Sequence, residues 1–338
     1  MRLAPADFVC SFLPIIVAAV AFAAQPRSVA GEPELSPLPG SVPAPEDNPT
    51  TSAKVELGRQ LFFDPRLSGD DTTSCATCHL PDRAFTDGQP KPSGAGGQPL
   101  SRNVPTLLNV GLLDRYFWDG RAESLEQQAL IPIQSPDEMN QDLDELEAEL
   151  QGIAGYAEQF RQVFGERVTR QGIAQALAAF QRTLVSGPSP LDRFLDGERN
   201  ALSADARAGY ELFIGDAGCV RCHNGPLLSD GKFYRIGVGS DDRGRAAITG
   251  DKQDDAKYRT PSLRNVAQTG PYMHDGSMQT LDEVVEYYYR GAPTRTVSGQ
   301  QLDITPLLGQ SYSEIPLLEA FLQSLTGEAP HIEPPELP

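Results

Sequence analysis

The sequence predicts a mainly α-helical protein of two similar helical domains connected by long loops. Three observations carry that expectation. Apolar residues recur at three-to-four spacing in 53–63, 143–150, 156–164, 173–185, 205–213, 281–289 and 316–325, the spacing of one buried helix face. No sustained run alternates with the period of two that a half-buried strand shows. Finally, the second half of the chain repeats the first.

Taken in order, the elements begin with a segment unlike the rest. Arg2 precedes an apolar stretch over 8–24, which is short for a bilayer span and ends in small residues. Ala21-Phe22-Ala23 and Ser28-Val29-Ala30 both fit a cleavage site, so residues 1–30 read as a secretory signal peptide, with an uncleaved anchor as the alternative. Cys10 lies inside this stretch without the lipoprotein pattern around it. Residues 31–50, rich in proline and acidic groups, read as an extended leader with no core of its own. An N-terminal domain over 51–190 follows, then a C-terminal domain over 191–328 and a proline-rich tail over 329–338. The length of 338 residues allows two ordinary domains. Gly187-Pro188 and Ser189-Pro190 mark the junction within 186–200. Glycine- and proline-bearing loops over 87–102 and 237–258 interrupt the helices.

The repeat is a series of matched spacings. Gly58-Arg59-Gln60-Leu61-Phe62 corresponds to Gly209-Tyr210-Glu211-Leu212-Phe213, and Pro105-Thr106-Leu107-Leu108-Asn109-Val110 to Pro261-Ser262-Leu263-Arg264-Asn265-Val266. Ten residues beyond each asparagine stands Asp-Gly, at Asp119-Gly120 and Asp275-Gly276. Six residues further on comes a leucine, Leu125 or Leu281. Trp118 precedes the first aspartate and His274 the second.

Between the matched segments lie Cys75-Ala76-Thr77-Cys78-His79 and Cys219-Val220-Arg221-Cys222-His223. Two thiols at this spacing reach the two vinyl groups of one haem, and the adjoining imidazole is placed to ligate its iron. A four-cysteine zinc site would leave both histidines as coincidence. A thioredoxin-like site would want a βαβ context that is not visible. Short-range disulfides are conceivable in an exported chain. Two covalent haems are the expectation, each wrapped by a cytochrome-c-like helical domain. With five cysteines in all, and one of them in the signal peptide, a disulfide scaffold is excluded.

What stands opposite each proximal histidine decides whether an iron transfers electrons or binds peroxide. After the signal peptide, the histidines outside the motifs are His274 and His331, and the methionines are Met139, Met273 and Met278. The stretch 80–102 after the first motif holds neither type, so an open or water-bound first iron is expected, with Met139 ligation as the alternative. Cleaving an O–O bond moves a proton between its two oxygens. Asp137 and Glu138, in Ser135-Pro136-Asp137-Glu138-Met139, are candidates for that work, although an acidic pair in a polar loop is commonly just solvated. For the second iron the candidates are Met273, His274, Met278 and the run Tyr287-Tyr288-Tyr289, of which at most one tyrosine can point at the metal.

These motifs, together with Arg102-Asn103, Phe117-Trp118-Asp119-Gly120-Arg121 and Pro271-Tyr272-Met273-His274-Asp275-Gly276, resemble the bacterial di-haem cytochrome c peroxidase and MauG family over about 53–326. The resemblance implies that the first haem is peroxidatic, with His79 proximal and Gln128 and Glu138 on the distal side, Glu138 being the acid–base residue. It implies Trp118 as the relay between haems, and Asn103, Thr269 and Pro271 as holders of one calcium ion. Ordinary members carry a methionine fourteen residues after the histidine of the Pro-Tyr-Met-His-Asp-Gly motif and often a histidine in the loop after the first haem. Here Tyr288 occupies the former position, and 80–102 lacks the latter. Both departures point to a MauG-like enzyme with Tyr288 on the second iron, His223 being proximal. A tryptophan two residues before the second motif, on the MauG route to its protein substrate, is replaced here by Ala217.

The sequence thus favours a peroxide-driven oxidase acting on an external donor, such as a partner protein whose aromatic residues are modified. A cytochrome c peroxidase fed by a small cytochrome c or cupredoxin is the alternative, and a non-catalytic di-haem electron carrier the third reading. Hydrogen peroxide and a redox partner protein are the expected partners. The net charge of −18 becomes −19 without Arg2, Arg27 and Asp7, which disfavours nucleic acid and suits a cationic partner. No membrane span is expected after signal cleavage, and the location is periplasmic or otherwise exported. His331 carries no expected role.

Overall fold

The computed structural model describes residues 34–239, 241–290, 301–304 and 311–338. The signal peptide expected over 1–30 lies outside the described residues. All described residues belong to one compact unit. Its helices are α1 (Ser52–Phe63), α2 (Cys75–Cys78), α3 (Leu125–Gln134), α4 (Leu143–Gly152), α5 (Ala154–Phe164), α6 (Arg170–Gln181), α7 (Pro190–Leu195), α8 (Ala204–Ile214), α9 (Ala246–Thr249), α10 (Leu281–Arg290) and α11 (Ile315–Gln323). Phe233–Tyr234 (β1) and Tyr258–Arg259 (β2) pair antiparallel. Among the described residues no helix is long and apolar enough to cross a membrane.

Side-chain oxygens start the principal helices. Thr51 accepts from the Lys54 amide, Thr169 from Gly172 and Ser203 from Ala206, each satisfying a first-turn N–H that has no partner within its helix. The apolar faces bury in two separate clusters. One draws on residues from Leu57 to Leu184, the other on residues from Leu191 to Leu325.

The repeat is structural as well as textual. In the first half α1 crosses α6 at Gly58, where a Cβ would collide with the Ala176 carbonyl. In the second half α8 crosses α11 at Gly209, where a Cβ would meet the Leu317 carbonyl in the same way. One turn on, Phe62 packs on Phe180 at 5.1 Å and Phe213 on Phe321 at 4.9 Å, at interplanar angles of 56° and 55°. The two asparagines of the repeat both take the left-handed conformation, with φ 61° at Asn109 and 58° at Asn265, which asparagine tolerates better than most residues. Their amides donate to Leu184 and Leu325 respectively.

Several segments differ from expectation. The helix expected over 173–185 begins at Arg170 and ends at Gln181, because the chain then turns to bring the Leu184 carbonyl to Asn109. Helix α3 carries Pro132 in its interior, a residue that reads as a break in sequence. The junction over 186–200 contains α7, whose Pro190 sits at the first helical position while Ser189 caps it. The leader over 34–49 is docked on both halves. Its Asn48 is 1% exposed and bonds Glu126 and Gln175, while Leu38 N–H donates to Asp192. In the tail, Ala329 and Ile332 pack on the first cluster, and His331 is exposed beside Glu333.

Candidate functional site

Both cysteine motifs present their histidine in the same way. His79 Nδ1 lies 3.0 Å from the Phe85 carbonyl and His223 Nδ1 lies 2.9 Å from the Leu228 carbonyl. A carbonyl only accepts, so each Nδ1 carries the proton and each Nε2 keeps its lone pair for a metal. Burial pushes His79 down to about 4 and lowers His223 as well, so both rings are neutral donors at physiological pH.

Helix α2 sets out the first pair of thiols, with the Ser74 amide donating to Thr77 Oγ1 at 3.0 Å at its start. Burial pushes Cys75 up to about 12 and Cys78 to about 11. In the second motif it pushes Cys219 to about 12 and raises Cys222. The four motif cysteines are unpaired, and among the described residues no three histidine, cysteine or carboxylate side chains converge on one point. The zinc and disulfide readings fail on those observations. Two neutral thiols beside a neutral imidazole with a free Nε2 fit a haem joined through its vinyl groups.

Glu138 stands in the turn after α3, beside a cavity of about 390 Å³ that Asp70, Thr72, Gly94, Ala95 and Asn140 also line. Its charge is felt at both Cys75 and Cys78, which places it on the first motif. Burial raises its pKa, opposed by the Arg121 charge and a hydrogen bond from Ser135. Arg121 itself stacks 3.5 Å from the Phe117 ring and pairs with Asp119 at 3.0 Å. Asp137 is exposed, as a solvated acid would be. Gln128 is half-buried on α3, and its side chain has no hydrogen-bond partner among the described residues. Met139 is 5% exposed and belongs to the first hydrophobic cluster.

The halves meet around Trp118. Its indole N–H donates to the Asn103 carbonyl at 3.0 Å, and the Asn103 amide donates to the His274 carbonyl at 2.8 Å. The His274 ring lies 6.4 Å from Trp118, edge to face, and stacks on Tyr258 at 3.6 Å. Arg102 clamps this region by bonding Asp119 and Asp242, each at 2.6 Å. Against burial, the Arg102 bond and the Gly244 amide together hold Asp242 down at about 2. His274, engaged in this junction, is buried at 4% exposure.

Of the expected calcium holders, Asn103 gives its side-chain N–H to the Gln89 carbonyl at 2.9 Å and keeps Oδ1 unbonded among the described residues. The carbonyls of Thr269 and Pro271 likewise accept no hydrogen bond from described residues. An amide oxygen and two carbonyls are donors that a hard cation with bound waters takes.

On α10 the three tyrosines separate. Tyr287 donates to the Ile236 carbonyl at 2.7 Å and Tyr289 to Glu314 Oε2 at 3.0 Å. Tyr288 has no hydrogen-bond partner among the described residues. Burial holds its phenol well above the ordinary tyrosine range, and the next influence is Cys219, followed by Tyr287 and Cys222. Of the three, the middle tyrosine is the one whose hydroxyl has no protein partner among the described residues. Sequence reasoning missed Glu314 and the Arg102–Asp242 pair. Both are contacts made across sequence, 25 and 140 residues apart, with no local signal.

Comparison with known proteins agrees with this geometry. A family model described as di-haem cytochrome c peroxidase matches residues 52–200. The methylamine utilization protein MauG of Methylorubrum extorquens is 43% identical over 305 residues, covering 89% of this chain and 86% of that protein. Cytochrome c551 peroxidase of Nitrosomonas europaea is 37% identical over 297 residues, covering 86% and 85%. Among solved structures, a MauG-like protein associated with microbial copper homeostasis superposes with a TM-score of 0.76 at 35% identity, covering 86% of this chain and 95% of that one.

Proposed function

The chain belongs to the di-haem cytochrome c peroxidase and MauG family of haem oxidoreductases, and on that premise we propose that it is a MauG-like, peroxide-driven oxidase of an external donor. The observation that carries this reading is Tyr288, the tyrosine of α10 whose hydroxyl is left for the second motif while its two neighbours are bonded to protein. A phenolate ligand favours oxidised iron, which suits an enzyme that works without prior reduction.

In this reading Cys75, Cys78 and His79 hold the first haem, and Cys219, Cys222, His223 and Tyr288 the second. Bound haem supplies the iron at which peroxide reacts and the store for its oxidising equivalents. Glu138 takes a proton from one peroxide oxygen and delivers it to the other, a transfer that a carboxyl raised above its ordinary range performs in both directions. Gln128 orients the peroxide with its free amide. Trp118 conducts between the halves, its ring fixed by the bond to Asn103. Asn103, Thr269 and Pro271 hold calcium beside it. The donor meets the second half, and the enzyme works outside the cytoplasm after loss of residues 1–30.

A second reading has a specific observation in its favour. Ala217 beside Cys219 gives no aromatic route at that point, which suits a cytochrome c peroxidase drawing electrons from a small carrier. One experiment separates the two. Peroxide is added to the resting ferric protein without reductant. An immediate, long-lived change in the absorption of both haems supports the oxidase. A response confined to partly reduced protein, or to protein supplied with a reduced cytochrome, supports the peroxidase. Two irons saturated by side chains, with no response in either state, would overturn both. In parallel, an unchanged second-haem spectrum in Tyr288→Phe would refute the axial assignment.

A further inference from the structure

An oxidase of external donors needs a path for electrons from the protein surface to the second haem. Ala217, 8% exposed next to Cys219, offers only a methyl group. A different pair of residues leads from the same cluster to the surface. Tyr289 is 3% exposed and belongs to the hydrophobic cluster on which Cys219 packs. Its ring centroid is 6.1 Å from that of Tyr312, at 48° between planes. Tyr312 is 54% exposed.

We infer that Tyr289 and Tyr312 form a two-step relay carrying electrons from an external donor to the second haem, with Glu314 holding the proton of the inner tyrosine. The inference rests on the proposed oxidation of the haem pair by peroxide. Chemistry selects these residues. A phenol that loses an electron becomes a strong acid, so oxidation is easy only where a base receives the proton. The Tyr289 hydroxyl donates to the Glu314 carboxylate at 3.0 Å, whereas Tyr287 donates to a backbone carbonyl, which is no base at neutral pH. Tyr234 does bond a carboxylate, Asp230, at 2.7 Å, but no ring contact continues from it among the described residues. Burial, then the Glu314 bond, keep Tyr289 protonated until it is oxidised.

The step balances as follows. One electron leaves Tyr289 for the second haem, its O–H bond breaks, and the proton forms an O–H bond on Glu314. Tyr312 then returns one electron to the Tyr289 radical, Glu314 returns the proton, and Tyr312 releases its own proton to water. The donor reduces the Tyr312 radical, which recovers a proton from water. Two such passages accept the two oxidising equivalents of one peroxide.

The test locates the radical instead of measuring turnover. Holoprotein is mixed with peroxide and a nitroso spin trap, digested, and the adduct mapped by mass spectrometry. The relay predicts an adduct on Tyr312 that is lost in Tyr312→Phe and in Tyr289→Phe. In Glu314→Gln, which keeps a hydrogen-bond acceptor but not the base, the adduct should form on the order of a hundredfold more slowly. Unaltered resting haem absorption in each variant verifies the fold. An adduct on Tyr312 that survives Tyr289→Phe, or one found on Tyr234 instead, overturns the relay. A wild-type protein whose haem absorption ignores peroxide overturns the proposed function first, and the relay with it.

Discussion

The indole N–H of Trp118 donates to the carbonyl of Asn103 at 3.0 Å, so the single tryptophan is fixed by the residue whose own amide holds His274 of the other half. A ring held by such a bond has one orientation, which a relay between two centres requires.

Replacing Trp118 by Phe keeps an aromatic ring and removes that bond. The loss to stability should be about 1 kcal/mol, the net worth of a neutral hydrogen bond, and thermal unfolding would read it. The functional loss should be larger and localised. The first haem should still respond to peroxide in stopped-flow absorption, while the second responds more slowly. Equal responses from both haems would remove Trp118 from the path.

The crossing glycines give a prediction about packing. Alanine is the better helix former by about 1 kcal/mol, so propensity alone favours Gly58→Ala and Gly209→Ala. Each new Cβ, however, meets a backbone carbonyl of the facing helix, at Ala176 or Leu317, and backbone cannot swing away. Overpacking of this kind costs about 1–3 kcal/mol, and both variants should melt lower than wild type. Gly152→Ala is the control, since nothing lies within 4 Å of its added Cβ, and it should be neutral or stabilising.

The two halves were legible in the sequence where the signal is local. Matched glycines, asparagines and cysteine motifs read as a repeat because each does the same backbone task in each half, as the paired φ values of 61° at Asn109 and 58° at Asn265 show. Helix periodicity narrowed Tyr287-Tyr288-Tyr289 to one in three and only the family resemblance singled out Tyr288, because the bonds of its neighbours to Ile236 and Glu314 are contacts across sequence with no local signal. Helices α3 and α7 escaped because proline reads as a break, whereas Pro190 begins α7 and Pro132 is accommodated within α3. Folding position, which sequence does not print, separates those cases.

Arg264 departs from the repeat, since Leu108 stands at the matching place in the first half. Its guanidinium is 1% exposed and pairs with Asp192 at 2.8 Å. Removing one partner strands a buried charge, so Asp192→Ala should cost about 3–5 kcal/mol by denaturant unfolding. The double variant Asp192→Leu with Arg264→Leu, of which the second change restores the first half's choice, should recover most of that loss. Bonds from Ser189 and the Arg264 charge outweigh burial and hold the Asp192 pKa below its ordinary 3.8. A depressed carboxylate stabilises the fold above the unfolded value and loses that contribution as pH falls through the folded one. Acid unfolding of the wild type should therefore show an acid-side loss that the double variant lacks.

Glu138 should separate stability from activity. Burial raises its pKa above the ordinary 4.5, so the folded state holds its proton more tightly than the unfolded chain does. That contribution is complete below the unfolded pKa and is lost as pH rises through the folded one, where the carboxylate ionises against its burial. Glu138→Gln removes this burden, and its melting temperature at pH 7 should equal or exceed that of the wild type. The rate of the first haem's reaction with peroxide should nevertheless fall by about 10²–10⁴, the contribution of a positioned acid–base group. In the wild type that rate should drop as pH falls through an inflection above 4.5, because the carboxylate must be free to accept the first proton. The variant's profile should be flat across the same range. If the variant retains the wild-type inflection, the acid–base group lies elsewhere, and Glu138 only lines the cavity.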